Sequence, residues 1–243
     1  MGKDLTKFSL LSNRIHEIFF GKFFSKSKKI THPSLSVPNF IQRCEGIPLA
    51  GTNVKSILFS TDMAMVENSN ADAVLAVYPF SPSIAIMKSL IDFSQKPVIC
   101  GIGGGITKGK AAIEMAKKAE GLGACAVIVN QPFPPQDIKK IKANIQIPVI
   151  SSVSHSNFDF VARVNAGIDY FHITAGIHSQ KIVEDLRYKI PGFPAIATGG
   201  SQLIEIQKTI EAGAKAIVLT PPSSKELFKS IMDTYRKGIN HLK

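Results

Sequence analysis

Pro194-Ala195-Ile196-Ala197-Thr198-Gly199-Gly200, and after a helix-length interval Gly213-Ala214-Lys215-Ala216-Ile217-Val218-Leu219-Thr220-Pro221-Pro222-Ser223-Ser224, decide how this chain is read. Each half is a short apolar run that ends in a threonine and a turn. Short apolar runs bounded by turn residues read as buried strands. The interval from Gln202 to Ala212 carries Leu203, Ile206, Gln207 and Ile210 on one helical stripe. The stretch is therefore a strand, a helix and a second strand. Two glycines at a strand's end let a backbone come close to a ligand, because no Cβ intervenes. The helix that follows opens with free N–H groups, which attract anions.

Both halves recur upstream. One kind of strand starts at a proline: Pro97-Val98-Ile99, Pro148-Val149-Ile150 and Pro194-Ala195-Ile196. The other follows a turn of small residues: Asn70-Ala71-Asp72-Ala73-Val74, Gly123-Ala124-Cys125-Ala126-Val127, Gly167-Ile168-Asp169-Tyr170-Phe171 and Gly213-Ala214-Lys215-Ala216-Ile217. The two kinds alternate strictly, with room for one helix in each interval. A period near fifty residues holding two strands is one quarter of a barrel. Proline suits a strand's first residue, where no ladder donor is needed. Glycine suits the helix C-terminus, where the chain turns through positive φ. With Ile57–Ser60 placed first, the strands fall at Ala73–Val77, Val98–Gly101, Ala126–Val129, Val149–Ser152, Tyr170–Thr174, Ala195–Thr198 and Ala216–Leu219. Eight uninterrupted βα units favour closure over an open doubly wound sheet. The expected fold class is α/β, a (β/α)8 TIM barrel over residues 56–243. An N-terminal helical and irregular extension over residues 1–55 precedes it.

The totals fit one such domain. A chain of 243 residues with 44% hydrophobic content can bury a sizeable core, and a barrel of this kind typically takes ~250 residues. No apolar run approaches the ~20 residues of a membrane span, and the start lacks the pattern of a signal peptide. Cys44, Cys100 and Cys125 are odd in number and widely spaced, which reads as free thiols in a reducing cytoplasm. The net charge of +11 is uneven: residues 1–55 hold nine Lys and Arg against three Asp and Glu. A basic surface attracts nucleic acid, anionic lipid or phosphorylated metabolites; solubility is the plainer reading, and nucleic acid is not the expected partner. Leu5 to Phe24 has helical spacing and an aromatic cluster of Phe19, Phe20, Phe23 and Phe24, followed by Lys26, Lys28 and Lys29. A membrane-lying helix is one reading. Packing against the barrel or a second copy, giving a homo-oligomer, is the preferred one. Pro33, Pro38 and Pro48 then punctuate an irregular segment.

Function in such a barrel gathers at the carboxyl ends of the strands, and phosphate at the loops after the last two. The phosphate candidates are Gly176, Gly199, Gly200, Thr220, Ser223 and Ser224; backbone N–H groups and hydroxyls are suitable donors. The alternative is that the glycines and Pro221-Pro222 only shape turns. Asp62, just past the first strand, is an acid–base candidate or the N-cap of the short helix Met63–Asn68. His172 and Thr174 share one face of the sixth strand, so His172 is an inward base or ligand, or a satisfied core histidine. His155 and His178 lie in loops, where catalysis is easier to arrange. Gly101-x-Gly103-Gly104-Gly105 lacks dinucleotide spacing; it gives a ligand room beside the mouth, or forms a flexible lid with Lys108 and Lys110 near its tip. No metal motif is present, and no strand end supplies the lysine of a Schiff-base aldolase.

Residues 56–243 resemble the phosphate-binding (β/α)8-barrel superfamily, which includes thiamine-phosphate synthase, sugar-phosphate epimerases and flavin-dependent barrels. Ala197–Gly200 and Gly213–Thr220 carry the resemblance. Ala166–Phe171, Thr174–Ser179 and Pro194–Gly200 are similar to the nitronate monooxygenase group. That resemblance implies FMN, with its phosphate at Gly199-Gly200 and His178 in the place of the group's loop histidine. Pro48-Leu49-Ala50-Gly51 departs from the group's Pro-Met-Ala-Gly. The whole chain also resembles a group of bacterial barrels loosely labelled hydrolases. Three readings follow. The first is an isomerase, lyase or synthase acting on a small phosphorylated metabolite through Asp62 and a histidine. The second is an FMN-dependent oxidoreductase. The third is a metal-dependent hydrolase or a non-catalytic binding protein.

Overall fold

The computed structural model describes residues 33–200 and 202–237. Eight parallel strands close into a barrel: β1 (Ser56–Phe59), β2 (Ala73–Ala76), β3 (Val98–Gly103), β4 (Ala126–Val129), β5 (Val149–Val153), β6 (Tyr170–Ile173), β7 (Ala195–Ala197) and β8 (Ala216–Leu219). β8 pairs back onto β1 through Val218 and Ile57. Each strand is followed by a helix: α1 (Met63–Asn68), α2 (Ile84–Phe93), α3 (Gly109–Gly121), α4 (Pro135–Lys142), α5 (Phe160–Asn165), α6 (Ser179–Lys189), α7 (Leu203–Glu211) and α8 (Ser224–Arg236). The expected strands are all present, within two residues at each end. β3 runs furthest past expectation, because a shift in its register with β4 between Gly101 and Gly103 carries it on. None of the described helices is long and apolar enough to cross a membrane.

The repeat has a physical cause. Pro97, Pro148 and Pro194 lack an N–H, yet their carbonyls accept the first ladder bonds from Val74, Val127 and Phe171. Gly123, Gly167 and Gly213 have φ of 96°, 92° and 110°, so each ends its helix in the left-handed region where a Cβ is penalised. Alternate residues of each strand point inward. One inner tier is Ala73, Ala126, Tyr170 and Ala216; the next is Ile57, Ile99, Ile150 and Ile196, one from each odd strand. Tyr170 fills the space that three alanines leave, and its hydroxyl donates to the Pro48 carbonyl at 3.2 Å.

Residues 33–54 differ from the irregular segment expected. Two 3-10 turns (Pro33–Leu35 and Asn39–Arg43) lead into an antiparallel ribbon of Ile47–Leu49 with Thr52–Val54. Ile47, Leu49 and Val54 join the barrel's inner core and close its floor. The prolines placed this segment outside a helix but did not reveal the alternation that buries it. The helical reading of Leu5 to Phe24, and any contact it makes, lies outside the described residues. On α7 the buried positions are Ile206 and Thr209, while Leu203 is exposed, so the stripe is narrower than the sequence suggested.

Candidate functional site

The carboxyl ends of the strands surround a cavity of about 450 Å3. Its two walls differ. Phe59, Leu75, Val77 and Ile128, from β1, β2 and β4, make an apolar side. Ser152, His172, Thr174, Thr198 and Thr220, from β5 to β8, make a hydrogen-bonding side. No Asp, Glu, Lys or Arg lines it. The contrast follows from alternation: these are the inward positions of the last tiers, and the odd and even strands interleave there.

His172 is at the centre of the polar wall. It is buried, and Nε2 lies 3.1 Å from Thr198 Oγ1. Its Nδ1 is buried and has no hydrogen-bond partner among the described residues. Burial lowers its pKa from 6.5 to about 4, because the charged form loses hydration. The imidazole is therefore neutral at ordinary pH. Thr174 stands beside it as expected, its hydroxyl donating to the Val153 carbonyl at 3.2 Å.

Gln131 lines the cavity where β4 ends. Its Oε1 accepts from the N–H and hydroxyl of Ser154, both at 2.7 Å, and its Nε2 meets His155 Nε2. His155 thus braces the rim without lining the cavity. Behind it, Arg163 of α5 donates to the Gln131 carbonyl and lies over the Phe158 ring, 5.3 Å from its centroid. Arg163 is buried, no carboxylate faces it among the described residues, and one guanidinium nitrogen is unpartnered. Burial lowers its pKa. Counting along the barrel places Gln131 at the end of the fourth strand, on the rim; Arg163 was missed, and nothing in the sequence signals it, since its burial depends on how α5 packs.

The loops after β7 and β8 are occupied by the chain's own carboxylates. Gln202 and Glu205 form a capping box on α7, and Ser223 and Glu226 form another on α8. Gly200 has φ of 94°, and a Cβ there would come within 2.3 Å of a Glu205 carboxylate oxygen. A Cβ on Gly199 would come within 2.8 Å of the Ile206 Cα, so this glycine lets α7 approach the barrel. In each box the glutamate accepts from the N–H of the N-cap residue, Glu205 from Gln202 at 3.1 Å and Glu226 from Ser223 at 2.9 Å. Among the described residues of this region, Thr220 and Thr198 line the cavity. Gly176 and His178 form a short 3-10 turn, with φ of 55° at Gly176; neither lines the cavity.

Asp62 is the N-cap of α1. Oδ1 accepts from the N–H groups of Ala64 and Met65, at 2.9 and 3.2 Å, and Oδ2 from the Ser224 hydroxyl. The Ser224 bond, then the backbone bonds, lowers its pKa, which weakens it as a base. It ties the first βα loop to the last and does not line the cavity. Burial pushes the thiols of Cys100 and Cys125 up to about 12 and that of Cys44 to about 11, so all three pack as apolar groups. No group of three or more His, Cys, Asp or Glu is placed to hold a metal ion among the described residues.

No protein-family model and no curated protein sequence matches the chain. Solved structures share its fold. Phosphoenolpyruvate phosphomutase from Streptomyces platensis subsp. rosaceus matches with a TM-score of 0.63 at 14% identity, covering 76% of this chain and 83% of that one. 2,3-Dimethylmalate lyase, a member of the PEP mutase/isocitrate lyase superfamily, matches with a TM-score of 0.57 at 14% identity, covering 84% of each chain. Dihydrodipicolinate synthase from Bacillus anthracis matches with a TM-score of 0.55 at 15% identity, covering 76% of each. These likenesses show the TIM barrel. They are to other groups of barrels than the superfamily suggested by Ala197–Gly200, so that narrower membership is not shown.

Proposed function

We propose that the chain is an enzyme of the lyase or isomerase type acting on a small phosphorylated or phosphonate-bearing metabolite in the mouth cavity. One observation carries this reading: the cavity holds a buried, neutral histidine with a free ring nitrogen, set in a wall of hydroxyls. A neutral imidazole can donate to an oxygen that gains charge, and Thr198 Oγ1, 3.1 Å from Nε2, orients the ring. Ser152, Thr174 and Thr220 supply further hydroxyls, which suit an oxyanion or a phosphoryl group. The buried guanidinium of Arg163 adds positive potential one residue behind the wall. Fold neighbours named for a mutase and a lyase are in keeping with this class.

Glu205 and Glu226 put a carboxylate at the start of each helix, which disfavours an anion there, so the anion is assigned to the inner hydroxyls, Thr198 and Thr220. His172, held neutral, is assigned the role of hydrogen-bond donor to the charge that develops, and Asp62 and Ser224 hold the rim around it. The lining contains no lysine, so no imine forms from the cavity wall. The test is a substrate panel with phosphoenolpyruvate, phosphonopyruvate and their products, followed by NMR in D2O. Turnover or solvent-deuterium exchange that falls at least a hundred-fold in His172→Gln supports the proposal. Activity unchanged in that variant contradicts it.

A further inference from the structure

A second cavity of about 220 Å3 adjoins the first, and the two share Val77, Ile128 and Asn130 as walls. Its sides come from two loops: Tyr78 to Pro82 after β2, and Gly103 to Thr107 after β3. No charged side chain lines it. Phe80, from one loop, and Ile106, from the other, line it and are 75% and 76% exposed. Large apolar groups left in water beside a cavity mark a binding surface.

The glycines of the β3 loop explain how the slot is kept open. A Cβ on Gly101 would come within 3.0 Å of Val77 Cγ2, and one on Gly104 within 2.5 Å of the Asn130 Cβ. Val77 and Asn130 are two of the three walls shared with the mouth. Side chains at these glycines would collide with both of them and disturb the shared wall. Gly103 is needed for the loop's own turn, since a Cβ there would come within 2.5 Å of the Thr107 carbonyl. On the facing loop, the Tyr78 hydroxyl accepts from the Ser83 N–H at 2.6 Å, which fixes the ring at the start of α2.

We infer that the slot binds an uncharged apolar part of the substrate, about one six-membered ring in size, while the anionic head lies in the mouth. An apolar cavity of about 150 Å3 takes benzene, so this one holds a ring with a small substituent. The flat glycine backbone on one side and Tyr78 and Pro79 on the other favour a planar group. The substrate class is then an aryl- or cycloalkenyl-bearing phosphate or phosphonate. This rests on the head-group site proposed above, and the test separates the two.

Methylphosphonate, benzylphosphonate and benzyl alcohol are titrated into the full chain labelled at isoleucine methyls. Benzylphosphonate should bind on the order of ten-fold or more tighter than methylphosphonate and shift the Ile106 methyl. Phe80→Asn and Ile106→Asn, both at exposed positions, should remove most of that preference and leave methylphosphonate affinity unchanged. Equal affinities with Ile106 unmoved overturn the slot and leave the head-group site standing. A shift of Ile106 by benzyl alcohol, with neither phosphonate binding more tightly than the alcohol, keeps the slot and overturns the head-group site. If no ligand moves Ile106, the slot is overturned.

Discussion

At the floor of the barrel, polar side chains are acceptors for the chain's own backbone; at the mouth, they face a cavity. Asp72 Oδ2 accepts from the Lys55 and Ser56 N–H groups and the Ser56 hydroxyl, at 2.7 to 3.0 Å. Asp169 does the same for Val149 and adds Lys142. These two aspartates occupy equivalent places in the repeat, each capping the start of the preceding strand. The mouth has hydroxyls, two amides and a neutral imidazole in its lining, and its carboxylates are drawn outward to cap helices. Aspartates therefore stabilise one end, and neutral donors leave the other free for a ligand.

This contrast predicts how the two ends respond to substitution. The largest effect is expected below the mouth, in the isoleucine tier. Ile196→Ala should cost about 3 to 4 kcal/mol in denaturant unfolding, within the range for deleting buried methylenes. A loss below 1 kcal/mol would mean that the tier is not close-packed.

The second effect concerns pH. His172 has a folded pKa of about 4 against 6.5 unfolded. The unfolded chain therefore binds a proton more readily between those values, and stability falls as the pH drops through that window. The fall is about 3 kcal/mol in all, at ~1.4 kcal/mol per pH unit. His172→Asn should flatten this limb of the stability curve. An identical acid limb in the variant would place the titration elsewhere.

A smaller effect is expected at the floor. Asp72→Ala leaves three donors without their acceptor and should cost about 2 kcal/mol, with ligand affinity unchanged. The smallest effect on stability is at the mouth. Thr220→Val should stay within about 0.5 kcal/mol of the parent, yet lose the rise in melting temperature that phosphonates give the parent. If the two outcomes are exchanged, the division between floor and mouth is wrong.

The barrel was legible because its signals are local. Proline starts, left-handed glycines and apolar runs repeat with a fixed period, and each has a backbone reason. The ribbon at Ile47–Val54 was not legible, because its strands are three residues long and only the closed barrel gives them a surface to cover. At the site, the pairing of His172 with Thr174 followed from strand alternation. The roles of Gly199, Gly200 and Asp62 did not. Glycine after a strand and aspartate before a helix each serve packing, turns or capping as readily as ligands, and only the position of Glu205, Ile206 and Ser224 decides between them. Arg163 was hidden for a related reason: its environment comes from Gln131 and Phe158, distant in one case by 32 residues.

The most direct test of the account follows the His172 ring nitrogens by 15N NMR while phosphoenolpyruvate or methylphosphonate is added at pH 7. The account predicts a neutral imidazole in the free protein and a change at Nδ1 on binding, with Thr198 and Thr220 shifting at the same ligand concentration. A ligand that binds and moves residues at the starts of α7 and α8, while the His172 nitrogens stay unchanged, would contradict it.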